Sequence, residues 1–322
     1  MTPADRPSEH AIEAAHTPSH SAPRCAACKA STNEPIFGGL LRCLRCGHAF
    51  APPNATDQDL AAIYSESYFA REEYHDYLAD KDVAQRNFRS RLRVLKSFMD
   101  PARHRCLFEV GCAYGFFLEV AKDSFDSVQG IDVSAAAVNH AKNNLGLDAT
   151  CADLLQYDLA RREFDVACMW DTIEHLAHPD LYIAKLADHM RTGALIAITT
   201  GDFASLNARL RRTKWRLMHP PSHAHYFSIA SMTMMLDRFG FDVLYAHHCG
   251  FYRSLRSMAY GVFVQKHGNS FVFDLVRRLG ISDWPLYLNF YDMTLCTSSG
   301  AKWPFSVNGR GERNAAIVPP NS

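Results

Sequence analysis

The sequence predicts an α/β fold, a parallel sheet with helices on both faces, preceded by a small four-cysteine unit. Three observations predict it. From Arg105 onward short apolar runs alternate with helical ones; a glycine turn closes the first of those runs; and two Cys-x2-Cys pairs precede them all. Alternation of this kind calls for parallel pairing, because a helix returns the chain to the start of each next strand.

Residues 1–22 are rich in Ala, Pro, Ser, Thr and His and have little to bury, so a disordered tail is expected there. Residues 23–52 follow as a unit of their own. Cys25 and Cys28 pair with Cys43 and Cys46 across fourteen intervening residues, just under the usual spacing of zinc ribbons. Each Cys-x2-Cys turn aims two sulfurs inward, and four thiolates complete the tetrahedral shell that Zn2+ prefers. Thirty residues cannot bury a sufficient core, so structural zinc would supply most of the folding energy. His48 is read as a bystander.

Residues 53–100 read as a helical linker or lid. Leu60 to Met99 has a helical pattern, with Phe88, Leu92, Leu95 and Met99 on one face, and Pro101 closes it. Tyr64, Tyr68, Tyr74 and Tyr77 in this stretch either cover an acceptor or pack on the main domain.

The main domain is expected over 101–299. Cys106–Val110, Val128–Val133, Ala149–Ala152, Phe164–Trp170 and Ala194–Thr199 are the strand candidates. Gly115–Lys122, Ser134–Leu145 and Pro179–Met190 are the helices between them. Residues 202–228 form a basic insertion on the substrate side. A helix then ends at Gly240, Phe241–Tyr245 is a strand, and Phe290–Thr297 is the last strand candidate. Residues 250–288 carry an amphipathic segment that the pattern does not place. Residues 300–322 resemble the first tail.

Lys+Arg and Asp+Glu both number 34, which argues against a global electrostatic grip on nucleic acid or an anionic membrane. No apolar run reaches the roughly 18 residues of a membrane span, and no signal peptide is evident. Ten cysteines without an export signal point to a reducing compartment, so the cytoplasm is expected.

The stretch FEVGCAYG at 108–115 places Glu109, Gly111 and Gly115 where a strand turns into a helix. Gly111 permits the sharp turn, and Gly115 permits close approach of helix and ligand. Asp132 ends the next strand about twenty residues on, placed to accept from both ribose hydroxyls of an adenosine. Asp153, after the third strand, either holds an adenine amino group or caps a helix. A dinucleotide turn wants G-x-G-x-x-G, but position 113 is Ala. Tyr114 and Glu109 suit a ligand with a cationic amino-acid end, which favours S-adenosylmethionine over NAD.

On FEVGCAYG, GIDVS at 130–134, CADL at 151–154 and FDVACMWDTIEHLAHP at 164–179, the chain resembles the class I S-adenosylmethionine-dependent methyltransferases. More narrowly it resembles the ubiquinone-type and sugar methyltransferase branch, some of whose members carry a zinc ribbon. The resemblance implies a Rossmann-like seven-stranded sheet whose last strand is antiparallel. It implies that Glu109, Gly111 and Gly115 surround the methionine portion, Asp132 the ribose and Asp153 the adenine. Cys112, Ala113, Val133, Leu154 and Asp171 complete the implied cofactor contacts. The family usually has Gly at the position of Ala113.

Methyl transfer needs alignment and, for a hydroxyl or carbon acid, a general base. His175 follows the fourth strand at the ligand edge of the sheet, with Asp171 and Glu174 near to orient it. His223, His225 and Tyr226 lie on a proline-stiffened loop, HPPSHAHYFS at 219–228, and are the other candidates. That loop has no acidic residue at ligand spacing, which argues against a metal there. Arg209, Arg211, Arg212, Lys214 and Arg216 are a solvated face or a grip on an acceptor phosphate or carboxylate. The expected function is methyl transfer to a hydroxyl or carbon of a small molecule, a nucleotide-linked sugar or similar intermediate. The alternatives are a methyltransferase of RNA or protein that docks through the ribbon, and a non-catalytic cofactor-binding scaffold.

Overall fold

The structure is a computed structural model and describes residues 23–52, 77–159, 164–220, 222–265 and 271–300. The expected N-terminal tail, the expected C-terminal tail beyond Gly300, and residues 53–76 of the linker, with Tyr64, Tyr68 and Tyr74, lie outside the described residues; Gly300 itself ends the last strand.

The first strands are β1 (Asn33–Pro35), β2 (Leu41–Cys43) and β3 (Ala49–Phe50), followed by helix α1 (Lys81–Lys96). The alternating stretch contains β4 (Cys106–Val110), α2 (Phe116–Ala121), β5 (Ser127–Asp132), α3 (Ala135–Leu145) and β6 (Asp148–Cys151). It continues with β7 (Phe164–Trp170), α4 (Pro179–His189) and β8 (Met190–Gly201). The insertion holds α5 (Leu206–Arg211) and the two-residue strand β9 (His225–Tyr226); α6 (Ile229–Arg238) and β10 (Phe241–His248) follow. Residues 251–288 then form β11 (Phe251–Ser254), α7 (Leu255–Ala259), a π-helical turn Tyr260–Gln265, α8 (Phe271–Arg278) and β12 (Pro285–Leu288). Strand β13 (Met293–Gly300) is the last.

Seven strands form one sheet in the order β10-β13-β8-β7-β4-β5-β6. The pairs from β8 through β6 are parallel, and β13 runs antiparallel to both neighbours. The order reverses at β4, so a crevice opens beyond the C-terminal ends of β4 and β7, the usual ligand site of open α/β sheets.

The central strands are buried on both faces, which is why they read as unbroken apolar runs. Phe108, Val110, Ala167, Met169, Ile196 and Ile198 face one layer, with α4 and α6. Leu107, Val166, Cys168, Leu195 and Ala197 face the other, with α1, α2 and α3. In α1, Leu92 and Leu95 are buried against that second layer. Each such side chain contributes about 1.5–3 kcal/mol on burial. Ser134 caps α3 by accepting from Ala137 N, and Gly146 closes it in the left-handed conformation.

The last strand starts at Met293, three residues beyond the expected Phe290. Phe290 belongs to the preceding loop, where its ring lies against the Arg216 guanidinium, and Tyr291 turns the chain with φ +52°. Met293–Ser298 are all buried.

Strands β1, β2 and β3 form an antiparallel sheet that β9 extends from the far side of the sequence. Arg238 Nη1 donates to the carbonyls of Ala26 at 2.7 Å and Ala27 at 2.8 Å. The four-cysteine unit is thus built onto the first layer of the main domain and shares its apolar core. Among the described residues, no helix is long and apolar enough to cross a membrane.

Candidate active site

One cavity of about 360 Å³ opens in the crevice, lined by the ends of β4, β5 and β7, by α1, and by residues of 251–261. It has two ends.

At the first end the turn after β4 brings backbone and carboxylates together. Gly111 has φ +78°, and a Cβ there would fall 2.5 Å from Thr172 Oγ1, so only glycine fits. Ala113 is also left-handed, at φ +44°, which accounts for glycine being usual at this position in the family it resembles. Asp132 holds the turn. Its Oδ2 accepts from Ala113 N at 2.8 Å and its Oδ1 from Ser134 N at 2.8 Å. Each oxygen keeps a second lone pair, and the residue lines the cavity. Glu109 is buried, and its Oε2 has no hydrogen-bond partner among the described residues. Burial, with the Asp132 charge added, pushes its carboxyl well above the usual 4.5. An orphaned buried carboxylate oxygen beside a cavity suits the cationic ammonium of a bound amino acid.

Asp153 lines the cavity and caps a turn, not a helix. Its Oδ1 accepts from Leu155 N at 2.6 Å, a local turn cap, while Oδ2 accepts from the Tyr182 hydroxyl at the cavity wall. Cys112, Ala113, Val133 and Leu154 also line this end. Gly115 does not. Its bare Cα lets α2 approach α3, since a Cβ would lie 2.7 Å from Leu147 Cδ1 and 2.9 Å from Ala141 Cβ.

The second end lies past β7. Asp171 follows that strand in the left-handed region, at φ +53°, and is held from two sides. Thr199 Oγ1 donates to its Oδ1 at 2.8 Å, and Arg91 Nη2 to its Oδ2 at 2.7 Å. Arg91 lies 5.7 Å over the Trp170 ring. Glu174 is buried beside them, its carboxyl pushed up to about 8, first by burial and then by Asp171. Thr200 hydrogen-bonds its carboxylate, and Oε2 has no partner among the described residues.

His175 Nδ1 donates to Ser222 O at 2.9 Å, which leaves the lone pair on Nε2. Its ring meets the His223 ring edge-on at 4.5 Å. Burial lowers both, to about 4 for His175 and about 2 for His223, so both are neutral at physiological pH. One donor atom from each of Glu174, His175 and His223 lies within 4.8 Å of the others. The sequence gives the histidine loop no acidic partner; the fold brings Glu174 to it from β7's end, and the three together can hold a cation.

His225 and Tyr226 do not line the cavity. They form β9 and are buried against the four-cysteine unit, with the His225 ring stacked on His48 at 5.2 Å. His225 and Tyr226 are committed to sheet pairing opposite Phe50 and Ala49, whereas His223 precedes the strand and stays in the loop. Of the basic cluster, only Arg216 reaches the cavity. Asp292 holds it bidentately, at 3.2 and 2.7 Å, between the rings of Phe251 and Phe290.

Arg91, Trp170, Thr172, Tyr252, Arg253 and Tyr260 also line the cavity. Tyr77 does so as well, stacked on Phe116 at 5.2 Å. The aromatic side chains between 251 and 260 were outside any legible pattern, since that segment is built of four- to six-residue elements with no sustained period.

In the N-terminal unit, Cys25 and Cys46 sulfurs are 3.5 Å apart, as are those of Cys28 and Cys43, and all four lie within 4.8 Å of one another. A tetrahedral zinc with thiolate bonds near 2.3 Å separates its sulfurs by about 3.8 Å, so the donor set fits that ion.

A family model described as "Methyltransferase domain" matches residues 79–246, just over half of the chain. The chain belongs to this methyltransferase family. It is 30% identical over 99 residues to the ubiquinone biosynthesis O-methyltransferase of Nitrobacter winogradskyi, covering 29% of this chain and 38% of that protein. It is 31% identical over 110 residues to the mitochondrial ubiquinone biosynthesis O-methyltransferase of Candida albicans, covering 31% of this chain and 34% of that protein. The match thus spans little more than a third of either relative. Magnesium protoporphyrin IX methyltransferase from Synechocystis PCC 6803 with bound SAH matches 76% of this chain and 99% of its own, at 13% identity and a TM-score of 0.48.

Proposed function

We propose that this methyltransferase moves the methyl group of S-adenosylmethionine to a hydroxyl or carbon of a small molecule, a nucleotide-linked sugar or a similar biosynthetic intermediate. One observation carries the reading. A single cavity joins the Glu109–Asp132–Asp153 end, suited to an amino-acid-bearing nucleoside, to the Glu174–His175–His223 end, suited to moving a proton.

S-adenosylmethionine, when bound, supplies an electrophilic methyl on a sulfonium. The chain does the rest. Asp132 takes the ribose hydroxyls on its spare lone pairs, Glu109 takes the ammonium, and the Asp153 and Leu154 wall receives the adenine. Arg91, fixed by Asp171 and Trp170, borders the acceptor. His175, with its Nδ1 proton committed to Ser222, takes the acceptor's proton at Nε2, and Glu174 and His223 flank it. The aromatic rings of Tyr252 and Tyr260 exclude water from the transfer. Four thiolates hold a structural zinc that supports the ribbon and leaves no open coordination position for chemistry.

Calorimetric titration with S-adenosylmethionine, with NAD as control, tests the cofactor assignment. Micromolar binding of the first alone is expected, and NAD binding alone overturns it. Screening nucleotide-linked sugars and phenols for methyl transfer then tests the acceptor class. Transfer only to RNA or protein would overturn the small-molecule assignment.

The partnerless Oε2 of Glu174 favours a second reading of the acceptor end, in which Glu174, His175 and His223 ligate a divalent cation that polarises the acceptor oxygen. Mn2+ paramagnetic resonance separates the two: a bound signal lost in His223→Ala supports the cation, and no bound signal in the wild type leaves the proton-transfer reading alone.

A further inference from the structure

His48 is fully buried, yet it is neither a zinc ligand of the expected set nor a lining residue of the cavity. It points across the boundary between the ribbon and the histidine loop. His48 Nε2 is 3.0 Å from His225 Nδ1, and His225 Nε2 is 3.2 Å from the Ala177 carbonyl oxygen. A carbonyl only accepts, so His225 carries its proton on Nε2. Neutral His225 then accepts at Nδ1, and His48 Nε2–H donates to it. The His48 ring also lies against Phe227 at 4.4 Å.

The backbone repeats the same connection. Strand β3 pairs with β9, Ala49 opposite Tyr226 and Phe50 opposite His225. One residue further, Ala51 N donates to Ala224 O at 2.8 Å, while Ala224 N donates to Glu174 O at 2.9 Å. A single residue of the loop is therefore bonded to the ribbon on one side and to the acceptor end of the cavity on the other. His223, the loop side chain in the cavity wall, immediately precedes it.

We infer that His48 and His225 are positioning residues: through them the ribbon clamps the 223–226 segment and so fixes His223 against Glu174 and His175. The inference rests on the proposed role of that trio, and it makes the ribbon's fold a condition for the geometry of the reaction site. It also supplies a physical reason for a zinc unit that has no chemistry of its own: thirty residues of metal-set structure provide a rigid edge strand against which a loop is held.

Hydrogen–deuterium exchange on the full-length, zinc-replete protein tests it without an acceptor. His48→Leu removes the donor. It is expected to speed exchange of the 223–226 amides at least tenfold, leaving 106–112 and 164–170 unchanged and S-adenosylmethionine affinity within twofold. His48→Gln places an N–H near the same point and is expected to restore most of the protection. Stripping zinc from the wild type with a chelator should expose the same four amides together with 23–52. The clamp is overturned if His48→Leu exchanges like the wild type, if exchange rises equally through the whole chain, or if zinc removal loosens 23–52 and leaves 223–226 protected. The chelation arm stands by itself should His48→Leu fail to fold. Protection that follows the clamp in a protein that binds no S-adenosylmethionine would uphold the coupling and overturn the proposed function instead.

Discussion

Replacing Asp132 by Asn isolates what its carboxylate does. In the native site the two oxygens accept two backbone N–H groups, from Ala113 and Ser134, both at 2.8 Å. Asparagine has the same shape but one oxygen, so one of those N–H groups would face an amide NH2. A hydrogen bond to a charged group contributes about 1.5–3 kcal/mol. The empty protein recovers part of that loss, because burial already raises the Asp132 carboxyl above its usual 3.8 and the charge is no longer enclosed. The ligand recovers nothing: the ribose hydroxyls lose a charged acceptor, and the Ala113 turn that shapes their pocket loosens. At a factor of ten per 1.4 kcal/mol, S-adenosylmethionine affinity should fall by about 10- to 150-fold, and S-adenosylhomocysteine, which shares the ribose, by the same factor. Calorimetric titration of both ligands, with urea midpoints as a fold control, measures it. A folded Asp132→Asn protein that binds within threefold of wild type would refute the ribose assignment.

Three further outcomes follow from the same site. Glu109 has a raised pKa in the folded state, so its contribution to stability is present below about 4.5 and is lost as pH rises through the folded value; urea midpoints of Glu109→Gln should fall less than wild type between pH 5 and 8. The ammonium of a bound cofactor should draw that proton off, so wild type should release protons on binding, seen as a buffer-dependent enthalpy absent in Glu109→Gln. Two of the three left-handed positions of the turn should respond oppositely: Ala113→Gly, which relieves φ +44°, should raise stability by up to about 1 kcal/mol. Gly115→Ala, forced to φ +78° with its Cβ 2.7 Å from Leu147, should lower it by about 2–4 kcal/mol in urea unfolding.

The β4–β5 end of the cavity was legible because its physics is local. A buried parallel strand is an apolar run, a turn needing positive φ selects glycine, and a carboxylate at a strand end meets the turn of the neighbouring strand once pairing is parallel. Glu109, Gly111 and Asp132 all fall within 24 residues of sequence, and the four cysteines within 22. At Gly115 the missing side chain allows the close approach of α2 and α3, and the residue does not line the cavity.

The end of the cavity past β7 was not legible. Glu174 and His223 are 49 positions apart, Arg91 and Asp171 are 80, and His48 and His225 are 177. Nothing in a window of a few turns or strand residues encodes such meetings. They depend on which strand ends lie side by side, and on where the insertion returns to the sheet. The sequence by itself determined the layers, the glycine turn after β4 and the sulfur donor set. Only the tertiary structure decided that one histidine of the 219–228 loop faces the cavity while His225 faces the ribbon. His225 lies within β9, paired opposite Phe50 and stacked on His48, whereas His223 precedes the strand, outside the pairing, and its ring meets that of His175.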